Sequence, residues 1–225
     1  MANRPVFAAD DKIYVKMINT DFEYHNGFSA AQRQRSAESL HKAFMRMHPE
    51  AKILEVSSFS KEEAGTLLSA FNLHLSLKNG EKVPVESAFQ GGKIFEHGGP
   101  YNDLIMAAPK DAKRDHRLHE SGRITGFEFE GQHFPTEPAT LFYTWLYLKA
   151  LNENPELAGQ LLKYDAFTDI VFNPNKSINC QAYACAVYVS LQRKKELERA
   201  LTAIDFLSDI LERAPRPSGS TIKAR

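Results

Sequence analysis

Apolar residues recur along this chain with two different periods. "KIYVKMI" (12–18) alternates apolar and polar positions like a short strand, and "AKILEVSSFS" (51–60) is a second strand candidate. Between them "NGFSAAQRQRSAESLHKAFMRM" (26–47) switches to helical spacing, with Ser29 placed to cap its start. "KEEAGTLLSAFNLHLSL" (61–77) begins helical and ends strand-like, ahead of the turn pair Asn79-Gly80. "APKDAKRDHRL" (108–118) predicts a short charged helix, and "ITGFEFEGQHF" (124–134) alternates around a glycine, as a β-hairpin does. In "EPATLFYTWLYLKALNEN" (137–154), Leu141, Phe142, Trp145, Leu148 and Leu151 keep helical spacing and Pro138 suits a first turn. "NPELAGQLLKYDAF" (154–167) predicts another helix, and residues 173–213 read as a polar loop followed by one long or broken helix. The sum is an α+β chain, predominantly α-helical.

"VESAFQGGKIFE" (85–96) also carries helical spacing, from Pro84 to the break at "GGPYND" (98–103). At about 100° per residue Glu86, Gln90, Lys93 and His97 share one narrow polar stripe, while Val85, Phe89 and Gly92 line another face. The stripe is either solvated surface or the wall of a site. Gly91 and Gly92 weigh toward the wall. Each costs a helix interior about 1 kcal/mol relative to Ala, so a pair calls for close backbone packing or a ligand approaching the main chain. Glu86 and Lys93 stand two turns apart, beyond the four-residue ion pair, with Gln90 between them and able to bridge both.

Length and charge narrow the class. The 225 residues suit one substantial domain, and 28 basic residues balance 28 acidic ones, so no bulk field draws the chain to nucleic acid. A polyanion would have to be held by local patches. Cys180 and Cys185 lie five apart on one expected helix with side chains turned away from each other, which argues against a disulfide or a metal site. His116 and His119 share a helix face without a third ligand at metal spacing, so no metal is expected. The start shows no signal-like apolar run and no stretch reaches the length of a membrane span, so a cytoplasmic location is expected. Residues 214–225, Pro- and Ser-containing and basic, read as a flexible tail.

Three further stretches carry polar groups among apolar neighbours. In "LLSAFNL" (67–73), Ser69 and Asn72 beside Phe71 are either satisfied turn residues or contacts to a sugar or phosphate. In "FTDIVFNPNKSINCQA" (167–182), Asp169 precedes amide, hydroxyl and ammonium groups ahead of a helix. Ser177 or Asn179 either caps that helix or helps hold a diphosphate. Trp145, flanked by Tyr143 and Tyr147, is either core or a stacking surface.

Taken in order, these stretches resemble the NADAR family. "VPVESAFQGGKIFE" is similar to its "vEh.fQaaK" helix, "LLSAFNL" to its "lSNF" motif and "APKDAKR" to "sp.eAk.lgr". "YTWLYLKALNENPELAGQLLKYD" follows "W...M...l..Kf.qnpeLa..Ll.tgd", and "KSINCQAYACAVY" stands where the family has "G.N.lG..Lm". The resemblance covers about residues 54–192. "NGFSAAQRQRSAESLH" and "GGPYNDL…FTDIVFNPNKSINCQA" look most like the NADAR antitoxins paired with DarT-type DNA ADP-ribosyltransferases. The chain departs from the family at "SAFNL", at the missing tryptophan after Asp169 and at "KSIN".

The resemblance implies a NADAR fold with short N-terminal strands and a β-hairpin insertion. It divides the chain into an N-terminal extension packed on the core (1–50), an N-glycosidase domain (51–213) and the tail. It implies removal of ADP-ribose from guanine in single-stranded DNA, with ADP-ribose as product, a cognate DarT-type toxin as functional partner, and no cofactor. Positive charge develops on the ribose as its bond to guanine breaks, which suits Glu86 as the catalytic carboxylate. Lys93, if neutral, is able to form a Schiff base with the opened sugar. Gln90 bridges them, Phe89 and Trp145 border the site, and Ser69, Phe71 and Asn72 bind ribose or phosphate. Asp169, Ser177 and Asn179 hold the nucleotide end, and "QRQR" (32–35) and "KDAKRDHR" (110–117) hold DNA phosphates. The alternatives are an N-glycosidase acting on a nucleotide or riboflavin-pathway intermediate, and a non-catalytic binder of ADP-ribosylated nucleic acid or of the toxin.

Overall fold

The computed structural model describes residues 1–27, 29–175 and 177–215. Strands β1 (Ala2–Asp10) and β2 (Tyr14–Phe22) form an antiparallel hairpin. Its turn is held by the Asp10 carboxylate, which accepts from the amides of Lys12 (2.8 Å) and Ile13 (3.0 Å). The alternation at 12–18 therefore marks only part of a longer strand. Helix α1 (Ala30–Met47) follows, with the Ser29 hydroxyl accepting from the Gln32 amide. Strand β3 (Ile53–Glu55) and the short helix α2 (Glu63–Leu67) lead to the hairpin β4 (His74–Ser76) and β5 (Lys82–Pro84), closed around Asn79-Gly80.

Helix α3 (Val85–Gly91) runs into β6 (Lys93–Phe95), and three short helices follow: α4 (Asn102–Ile105), α5 (Pro109–Arg114) and α6 (Arg117–Glu120). The charged stretch expected as one helix is thus two, parted at Asp115-His116. The expected hairpin at 124–134 is β7 (Ile124–Phe129) and β8 (Gln132–Phe134), turning at Glu130 and Gly131, both with positive φ. Helix α7 (Leu141–Asn152) starts at Leu141, whose amide donates to the Pro138 carbonyl, so Pro138 precedes the helix instead of sitting in its first turn. Helix α8 (Pro155–Leu161) and strand β9 (Ala166–Thr168) divide residues 154–167. The C-terminal run is broken into α9 (Gln181–Lys194), α10 (Leu197–Thr202) and α11 (Ile204–Arg213), the first break at Lys195 with φ 59°.

The largest sheet has the order β2-β1-β9-β3, with β3 and β9 parallel and the other pairs antiparallel. Residues 1–50 supply its two longest strands, and β1 lies inside the sheet between β2 and β9. Strand alternation decides which side chain meets which helix. Val6, Phe22 and Ala166 pack with Leu40 and Phe44 of α1, while Phe7, Val15 and Phe167 join the main core with α7 and α9. Helices α7 and α9 are buried almost all round, as their continuous apolar composition requires. Of the tail expected from 214, Ala214 is buried against the core, and residues 216–225 lie outside the described residues, as does Lys176.

Candidate active site

Helix α3 is pinned at its start. The amides of Val85 and Glu86 have no partner inside their own helix; they donate to the carbonyls of Leu73 and Ala70, both at 2.9 Å. The Ala70 amide in turn donates to the Gln181 side-chain oxygen at 2.9 Å, tying the loop after α2 to α9. Glu86 is held in the first turn of α3 and is 6 % exposed; Gln90, one turn on, is 5 % exposed. The polar stripe is therefore buried wall and not solvated surface.

The helix does not continue to residue 96. It ends at Gly91, and Gly92 has α-helical φ and ψ as its C-cap. A Cβ on Gly91 would stand 2.5 Å from Ile105 Cγ1 and 2.9 Å from the Tyr101 carbonyl; one on Gly92 would stand 2.5 Å from the Glu128 carbonyl. The bare backbone is used for bonding as well: the Tyr101 amide donates to the Gly91 carbonyl (2.7 Å) and the Glu128 amide to that of Gly92 (2.8 Å). The glycines thus let α4 and the β6–β7 hairpin close on the end of α3, which accounts for the pair without a ligand. His97 falls in the turn beyond β6, outside the stripe, with its amide on the Ser121 carbonyl.

Lys93 reaches the site from the first position of β6. Its Nζ donates to Gln90 Oε1 at 2.5 Å, and Gln90 Nε2 donates to Glu86 Oε1 at 2.9 Å. Lys113 of α5 places its Nζ 3.1 Å from the same Glu86 oxygen. Both contacts fall on Oε1, and Oε2 accepts no hydrogen bond among the described residues. The Lys93 ammonium also lies 4.8 Å from the centroid of the Phe89 ring. Burial pulls Lys93 down to about 8, opposed by the Glu86 charge and assisted by Lys113.

These groups line a cleft of about 1060 Å³. Ser69, Phe71, Phe89, Asp169, Ser177 and Asn179 also face it. Ser69 Oγ and Asn179 Oδ1 are buried with no hydrogen-bond partner among the described residues, so a ligand's hydroxyls or amines would satisfy them. Neither Ser177 nor Asn179 caps α9, whose N-cap is Cys180 without a side-chain bond. The Asp169 carboxylate accepts from the amides of Val171 (3.0 Å) and Phe172 (3.1 Å). Burial, with the Glu55 charge behind it, nevertheless raises Asp169 to about 7.

Two expected contacts lie elsewhere. Asn72 is exposed, outside the cleft lining, and its amide donates to the Thr66 carbonyl at 2.9 Å. Trp145 is core: on the largely buried α7 it packs against Phe129 and Phe134, and Nε1 donates to the Leu201 carbonyl at 3.1 Å. Its neighbour Tyr143 faces the cleft, and its phenol, raised by burial, feels the charges of Glu86 and Asp169. On a helix buried all round no period marks which residue meets the site, so Tyr143 carried no distinguishing signal. Lys113 belongs to a basic patch read for phosphates and not for contact with Glu86. Ser57 and Phe59 of the cleft wall carried no signal beyond their strand-like stretch.

Of the two basic patches only one meets this cleft, through Lys113. Within "QRQR", Arg33 donates to the Tyr24 hydroxyl and Arg35 faces a separate groove shared with Glu38 and Asp21. Among the described residues no group of three His, Cys, Asp or Glu is arranged to hold a metal ion, and both cysteines are buried and free. No helix among them is long and apolar enough to cross a membrane.

No curated protein matches the chain. A family model described as "DarT1-associated NADAR antitoxin" matches residues 2–218, a span that takes in β1, β2 and α1.

Proposed function

The chain belongs to the DarT1-associated NADAR antitoxin family, and on that premise we propose that it hydrolyses the bond between ADP-ribose and guanine in single-stranded DNA, undoing the work of a DNA ADP-ribosyltransferase. The observation that carries this reading is the Glu86–Gln90–Lys93 relay in a cleft large enough for a nucleotide sugar. An N-glycosidic bond to an exocyclic amine breaks as positive charge builds on the anomeric carbon, and a buried carboxylate with one unengaged oxygen stabilises that charge. Glu86 meets this requirement.

A second, covalent route runs through Lys93 and begins with the bond to guanine intact. Once the ribose ring opens, the anomeric carbon is joined to the guanine nitrogen as an iminium. The neutral amine of Lys93 adds to that carbon, the guanine amine leaves with a proton, and an imine to Lys93 remains. Water then adds to the imine, releasing ADP-ribose and restoring the lysine. Lys113 and the unpartnered oxygens of Ser69 and Asn179 are available to the phosphates and ribose hydroxyls.

The test is an oligonucleotide carrying ADP-ribosylated guanine. The expected result is free ADP-ribose with the unmodified oligonucleotide mass restored, and loss of turnover in Glu86→Gln. Binding without release would mark a non-catalytic reader. Preference for free nucleotides over modified DNA would mark a metabolite glycosidase.

A further inference from the structure

Glu55 is a buried carboxylate that the chemistry above leaves unused. It is the last residue of β3, paired in register with Thr168, the last residue of the parallel strand β9, and it is 4 % exposed. Its Oε1 accepts from Ser57 Oγ (2.6 Å) and from the Ile170 amide (2.9 Å), and its Oε2 accepts from Thr168 Oγ1 (2.7 Å). Burial raises the Glu55 carboxyl and these donors oppose it; with the Thr168 proton given to the ionised carboxylate, His41 Nε2, 2.7 Å from the same oxygen, donates there in its Nε2–H tautomer. That assignment agrees with a histidine that burial holds down at about 4, hence neutral. Ser57 Oγ also accepts from the Phe59 amide at 3.2 Å.

The bonds run to two loops. Beyond β3 lie Ser57 and Phe59; beyond β9 lie Asp169, Val171 and Phe172; all five face the cleft. Parallel strands end side by side, and loops leaving their C-terminal ends diverge to open a crevice. A carboxylate placed where the loops part, with a donor from each, fixes the width of that crevice. Taking a charge out of water is costly unless donors compensate it, so the group is held by the bonds it organises.

We infer that Glu55 is a positioning residue that braces the 57–59 and 169–172 loops for the part of the ligand remote from the anomeric carbon, with His41 extending the brace to α1. The inference rests on reading this cleft as the ADP-ribose site. Glu55→Gln removes the negative charge and turns one acceptor oxygen into an amide donor, so the charge assistance to all three bonds is lost and the Thr168 bond must reverse. KM for the ADP-ribosylated oligonucleotide and the Kd for free ADP-ribose should both rise about tenfold, the scale of one charge-assisted hydrogen bond. The turnover number should stay within about threefold, because Glu86 and Lys93 stand on α3 and β6.

Thr168→Val and Thr168→Ser carry the same test if Glu55→Gln does not fold: the first should raise KM and the second should restore it. Circular dichroism confirms folding of each variant. A native protein that turns over while folded Glu55→Gln or Thr168→Val keeps its KM, or loses turnover number at unchanged KM, overturns the inference alone. A native protein that neither binds ADP-ribose nor releases it sinks the functional reading, and the brace with it.

Discussion

Lys93→Arg keeps a cation beside Gln90 but removes an amine able to lose its proton. In the native site Lys93 sits at about 8, chiefly through burial. At pH 7 about one molecule in ten then carries the neutral amine, against about three in 10⁴ for a lysine with its ordinary solution value. Desolvation therefore supplies roughly 300-fold more nucleophile at neutral pH. If Lys93 bonds to the sugar, kcat should rise about tenfold per pH unit below 8 and level off above it. Cyanoborohydride added during turnover should trap one ADP-ribose on Lys93, found by peptide mass. The arginine variant should lose at least about 100-fold in kcat and trap nothing. Activity that falls through pH 8, or an arginine variant retaining a third of native turnover with no adduct, would refute a covalent role and leave Lys93 as a steering cation.

Other expectations follow from single contacts. Gly91→Ala should destabilise the protein by about 1–3 kcal/mol in thermal unfolding, because the added methyl meets Ile105 Cγ1 at 2.5 Å and the Ile105 amide nitrogen at 2.8 Å. The thiols of Cys180 and Cys185, buried and pushed up in pKa by that burial, should react with a disulfide reagent only after denaturant is added; rapid labelling of the native protein would contradict their placement. Asp169 is raised to about 7 in the folded protein, so the folded state binds more protons than the unfolded one between about pH 4 and 7. Stability should therefore fall as pH rises through that window. Asp169→Asn should flatten the dependence in denaturant titrations at pH 4 and 7, and an unchanged slope would count against the shift.

Much of the element order was legible because it rests on local rules. The Ser29 cap, the Asn79-Gly80 turn and the alternating hairpin at 124–134 each depend on residues within a few positions of one another. Glu86 and Gln90 were legible for the same reason, being one turn apart on a helix that forms. The strand β1 was not, because "ANRPVFAAD" becomes a strand by pairing with β2 and β9, the latter some 160 residues away in sequence. The resemblance to the family's motifs singled out Glu86, Lys93, Ser69 and Asp169 as candidates, a choice that local spacing alone left undecided.

Lys93 marks the boundary between the two kinds of information. Its helical spacing from Glu86 suggested a shared helix face, yet the helix stops at Gly91, and the lysine meets Gln90 from a strand. What the sequence by itself determined is the elements that rest on local patterns and the polar residues that a buried position would make reactive, since periodicity, caps and turns are short-range. What only the tertiary structure decided is which of those residues share a cleft. Trp145 and Asn72 fall outside it, Lys113 and Tyr143 fall inside, and Glu55 binds loops that no local pattern connects. Such meetings are set by the packing of α3, α5, α7 and the parallel strand ends against one another, and a burial that shifts Lys93 to about 8 exists only once that packing has excluded water.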